Sequence, residues 1–166
     1  MLKSHELIGF MSPPLAAEIL TFTFEAEKPT YKATLAAVAE ARKLRPIFMA
    51  RQPRAQRDAT ILATLTRPSL DVAAATLIRT WLLKKHQAML VDFLNLLEIP
   101  HEEGVVETLP EGVDDAKLKA AVDQLLAKYP PEVVAVYLNA FNDMNEVNWQ
   151  TLATLLAEDK RLQLGG

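Results

Sequence analysis

Residues 68–97 read PSLDVAAATLIRTWLLKKHQAMLVDFLNLL. Leu70, Leu77, Ile78, Trp81, Leu82, Met89, Leu90, Phe93, Leu94 and Leu97 recur at helical spacing and cover well over half the circumference of a helix. No Gly follows the opening Pro68, and no further Pro interrupts the run. At 1.5 Å per residue the element would extend for about 40 Å. A helix that is apolar nearly all round belongs in the middle of a fold, so this stretch is expected to be its spine, as one helix or two in line. Lys84, Lys85 and His86 mark its wettest arc.

Helices are expected on both sides of it. Ser12 followed by Pro13 and Pro14 is a cap and first turn, and Leu15, Ile19, Phe22 and Ala26 then share one face. The short run TFTFE alternates like a strand, but the helical set is longer. A second helix starts near Pro29 and runs to about Leu44, where Arg45-Pro46 breaks it. PIFMAR is a connector or a single turn, and Pro53 opens a helix to about Thr66. Residues 99–113 form the one long loop. Asp114 and Asp115 then cap a helix to about 128, and two more follow, to about Phe141 and from about Asn145 to Ala157. The expected fold is all-α: an irregular multi-helix bundle of seven or so helices around a long central helix at about 69–97. It forms a single domain over 1–166, and the helices of 114–166 are set off as a C-terminal subdomain by the loop 99–113.

The composition agrees. Half of the 166 residues are hydrophobic and Gly numbers five, which favours a helical core. Cysteine is absent, so disulfides, thiolate chemistry and cysteine-based zinc sites are excluded. The apolar runs carry charges well before the roughly twenty residues needed to span a bilayer, so no membrane is expected. The N-terminus has charge and Pro-Pro where a signal peptide needs an unbroken apolar run. A soluble protein of a bacterial-type cytoplasm, or an equivalent reducing compartment, is the expectation.

The most distinctive local feature is RPIFMARQPRAQR at 45–57, with Arg45, Arg51, Arg54 and Arg57. Residues 42–67 hold seven bases against Asp58 alone, a net of +6, whereas residues 98–166 carry a net of −8. The whole chain is at −3, which opposes attraction to a phosphate backbone, and no nucleic-acid-reading pattern surrounds the arginines. Arg54 and Arg57 fall at the start of a helix, where cations oppose the dipole by about 0.3–1 kcal/mol each. Acidic partners are therefore expected, in the acidic C-terminal half or on a neighbouring protein. Weak nucleic-acid binding through the four arginines ranks last.

Other clusters are weaker. His101, Glu102 and Glu103 lack a second ligand pair at i, i+4, so no metal site is expected. Asn139, Asn142, Asn145 and Asn148 recur every third residue near Tyr137 and Trp149. They read as helix ends and caps, or alternatively as a polar binding edge formed by Tyr137, Asn142 and Trp149. No Gly-rich phosphate loop, nucleophile elbow or tuned carboxylate pair is present, so no catalytic residue and no cofactor is assigned. The leading reading is a non-enzymatic helical module that binds a protein partner or itself. The alternatives are a bundle holding a small apolar ligand near Phe22, Phe48, Met49, Trp81, Met89 and Phe93, or an unrecognised enzyme.

Overall fold

Proline punctuates the chain. It occupies the first or second position of five helices, where its missing N–H costs nothing and its fixed φ is already helical. A computed structural model, describing residues 1–165, gives ten α-helices and no strand among them. The all-α multi-helix bundle follows.

The described residues cluster into two units, Leu2–Trp81 and Leu82–Leu164. In the first, α1 (Ser4–Phe10) precedes α2 (Pro13–Ala26), α3 (Lys28–Ala41), α4 (Pro46–Ala50) and α5 (Arg54–Leu65). A 3₁₀ turn at Pro68–Leu70 then leads into α6 (Asp71–Lys85). Ser12 accepts from Leu15 N–H and starts α2 as its sequence indicates. The alternating TFTFE lies within that helix. Helix α3 packs against α2, α4 and α5, and α1 packs against α5. Leu7, Ile19, Val38, Met49, Ile61 and Leu77 are buried there.

The second unit continues with α7 (Gln87–Leu96), the loop, α8 (Asp115–Lys128), α9 (Pro131–Asn145) and α10 (Gln150–Glu158). Asp114 caps α8 by accepting from Lys117 N–H at 3.0 Å. Every residue from 133 to 142 of α9 is buried, so this helix is apolar all round. Phe93 of α7 meets Tyr137 and Phe141 of α9 edge-on, each at 5.5 Å between centroids.

The run 69–97 is not one rod. His86 adopts φ −117° and ψ 29° and separates α6 from α7. No Pro or Gly causes this; the break falls at the polar triplet Lys84-Lys85-His86, where the apolar surface is interrupted. Helices α3, α7 and α9 also end without glycine. Lys43, Glu98 and Glu146 take left-handed backbone instead, with φ from 50° to 57°. Leu44 N–H returns to Ala39 O, Ile99 to Leu94 O and Val147 to Asn142 O, and the buried Ile99 and Val147 supply the apolar contact that accompanies this closure. No single helix among the described residues is long and apolar enough to cross a membrane.

Candidate functional site

Arg45 precedes a proline and is therefore held extended, at φ −75° and ψ 138°. Pro46 then starts α4, which is only five residues long because Pro53 ends the available chain soon after. One and a half turns can direct one residue inward. That residue is Met49, at 0 % exposure against α3, and it anchors the element. At 100° per residue, Ile47 and Phe48 then face away, and each is 58 % exposed. Arg45 and Arg51 flank them, both exposed. Neither is in an ion pair among the described residues.

Arg54 and Arg57 behave differently. Arg54 Nε donates to Asp58 Oδ2 at 3.3 Å, and its guanidinium lies 3.9 Å from the Phe24 ring centroid. Arg54 Nη2 is buried and has no acceptor. Arg57 Nε donates to the Tyr31 hydroxyl at 2.9 Å, and its Nη1 donates to Ala50 O at 2.9 Å, satisfying a carbonyl at the end of α4. Tyr31 O–H in turn donates to Asp58 Oδ1 at 2.8 Å. Burial first, and then the Asp58 carboxylate, push the Tyr31 phenol above its ordinary value, against the opposing pull of Arg57. Two of the four arginines are thus consumed inside the first unit. The carboxylate that receives Arg54 is Asp58, four residues along the same helix, rather than one from the acidic C-terminal half. Arg45 and Arg51 are left for solvent or a partner.

Tyr137, Asn142 and Trp149 do not form an exposed edge, and the binding-edge reading is corrected here. All three are buried. Tyr137 packs on Phe93 and Phe141, and Trp149 lies 5.6 Å from Phe141 while donating from Nε1 to Pro110 O at 3.4 Å. The cause is the apolar sequence VVAVYLNAF, which buries every face of α9 and carries the amides inward with it. Asn139 answers by donating to Ala135 O one turn back, and Asn145 does the same to Phe141 O. Of the suggested ligand-lining residues, Met49, Trp81, Met89 and Phe93 are fully buried core.

The long loop holds a feature that its sequence did not announce. Glu102 and Val105 exchange both backbone hydrogen bonds at 2.9 Å, closing a four-residue hairpin. Glu103 at φ 51° and Gly104 at φ 89° occupy its two central positions, as a tight turn of the primed kind requires. His101 braces it: Nδ1 accepts from Gly104 N–H at 3.1 Å, so the ring proton is on Nε2, which donates to Asn95 Oδ1 at 2.8 Å. Gln87 Nε2 donates to Glu103 O at 2.9 Å. An open cleft of about 850 Å³ borders this hairpin, lined by Leu83, Lys84, Gln87, His101, Glu102 and Glu103 among others. Of its polar side chains, Gln87 and His101 are engaged in bracing the hairpin.

A smaller cluster lies between α7 and α8. Asp92 accepts from Tyr129 O–H at 2.5 Å and from Lys128 at 2.8 Å, and these two bonds hold its carboxyl below the usual range. Glu98 and Lys117 form a further pair. In the first unit, His5 binds Asp71 Oδ1 through both its backbone N–H and Nδ1. Burial alone would raise the Asp71 carboxyl, but the His5 contacts outweigh it and lower it. No family model matches this chain, no curated protein matches it, and no solved structure matches it.

Proposed function

We propose that this chain is a non-enzymatic protein-interaction module, and that α4 with its flanking arginines is the docking face. The observation that carries the reading is the pair Ile47 and Phe48, more than half exposed on an anchored helical turn between Arg45 and Arg51. Aromatic and arginine side chains are the ones enriched at protein interfaces, where an apolar contact is made at the centre and charge sets orientation at the rim. The partner presents an acidic surface with an apolar centre. Nucleic acid fits less well, because Arg54 and Arg57 are already engaged and the chain as a whole is at −3. The reading also assigns the chain to a cytoplasm-like, reducing compartment, in keeping with a composition that has no cysteine.

Site-specific photo-crosslinking in the cell tests this. A photoreactive phenylalanine at position 48 is compared with one at position 72, where Val72 is 80 % exposed but lies outside the basic stretch. The expected result is a discrete crosslinked product at 48, weakened by Arg45→Glu and Arg51→Glu, whose mapped site is flanked by carboxylates. Equal and diffuse labelling at 48 and 72 removes the reading.

A further inference from the structure

We propose that the occupant of the α4 face is a second copy of this chain, docking through its own acidic hairpin at residues 102–107. The inference rests on the reading of α4 as a docking face. The two surfaces match in kind. On α4, Arg45 and Arg51 bracket two exposed apolar side chains. On the hairpin, the exposed residues Glu102, Glu103 and Glu107 flank, along the chain, Val105, itself 41 % exposed. None of these three carboxylates is in an ion pair among the described residues. Met1, Phe10 and Val72 are also exposed among the described residues, but none of them lies within the basic stretch or the acidic hairpin.

Charge complementarity supplies orientation: the net +6 of residues 42–67 faces a tip whose charged groups are all negative. The hairpin is also already in its final shape. Its paired backbone, the His101 brace and the Gln87 bond remove most of the ordering that a flexible acidic loop would undergo on docking. Met49 and the Arg57 bond to Ala50 O do the same for α4. Because tip and face are different surfaces, the contact is heterologous, and each added copy leaves one of each free unless the assembly closes.

Sedimentation velocity over a concentration series at low and high salt tests the proposal. The wild-type chain is expected to associate progressively at low salt, and raising the salt to about 0.5 M should weaken association roughly tenfold or more by screening. Arg45→Glu with Arg51→Glu should abolish association, as should Glu102→Lys with Glu107→Lys, both with unchanged circular dichroism and melting temperature. An equimolar mixture of the two variants should associate again, since both face–tip contacts between unlike variants pair opposite charges while those between like variants do not. A wild-type chain that stays monomeric at low salt overturns the proposal, and so does a mixture that fails to reassociate. If the chain is monomeric yet position 48 crosslinks a different protein, self-docking is wrong while the docking face stands.

Discussion

Replacing Asp58 with Ala tests whether the arginine cluster is held inside the fold. The substitution removes three things at once. Tyr31 O–H loses a charged acceptor in a partly buried setting, worth about 1.5–2 kcal/mol. The Arg54 pair, with side chains 36 % and 20 % exposed, contributes about 0.3–0.5 kcal/mol after solvent screening. Arg54 and Arg57 then stand uncompensated at the positive end of α5, a further cost of about 0.3–1 kcal/mol. Together the loss should be about 2–3.5 kcal/mol. Urea unfolding in a Trp149→Phe background reads it, because Trp81 is then the remaining tryptophan and is buried in the unit that contains the cluster. Tyr31→Phe removes the same bond and the acceptor of Arg57 and should cost at least about 1.5–2 kcal/mol, and the double variant should fall short of additivity by about the value of the shared bond. In about 1 M salt, where screening acts within roughly 3 Å, most of the Asp58→Ala cost should survive. A loss below about 0.5 kcal/mol, strict additivity with Tyr31→Phe, or complete suppression by salt would each refute the reasoning.

Three further outcomes are expected. Burial and Asp58 hold the Tyr31 phenol above its ordinary value when folded, so its contribution is complete below about pH 10 and is lost as pH rises through the folded value; Tyr31→Phe should remove that part of the fall in urea midpoint above about pH 10. The Asp92 carboxyl titrates below its ordinary value, so its contribution is present above about pH 4 and is lost on acidification; Asp92→Asn should remove that part of the acid limb in thermal melts. Gly104→Ala places a Cβ 3.3 Å from Leu90 Cβ at φ 89°, and should cost about 1–2 kcal/mol and speed hydrogen exchange at Val105 N–H.

What the sequence made legible follows the range of the physics. Ser12 and Asp114 cap helices as read, since a cap is decided by an oxygen three residues away. Pro46, Pro53 and Pro131 mark boundaries for the same reason. Helix α1 was not anticipated, and part of what secures it is His5 on Asp71, sixty-six positions distant. The left-handed ends at Lys43, Glu98 and Glu146 carry no local signal, because the chain uses charged residues where glycine is usual. The His86 break carries no breaker residue at all. The alternative reading of Tyr137 and Trp149 as edge residues rests on neighbouring amides, although the run VVAVYLNAF has almost no polar side to expose.

The arginines show most clearly why local pattern falls short of function. All four look alike along the chain, and the pairing of Arg54 with Asp58 was readable as an i, i+4 spacing. The partners that separate structural from available arginines were not readable. Phe24 and Tyr31 come from α2 and α3, and only the packing of those helices against α5 brings an aromatic face under Arg54 and a hydroxyl to Arg57. Once those two are accounted for, the positive charge of the stretch is no longer a single patch. It divides into a half-buried brace that fixes α4 in place and two exposed cations at the ends of that helix. The brace holds Phe48 outward at little entropic cost, so the structural arginines are what make the exposed ones usable for docking.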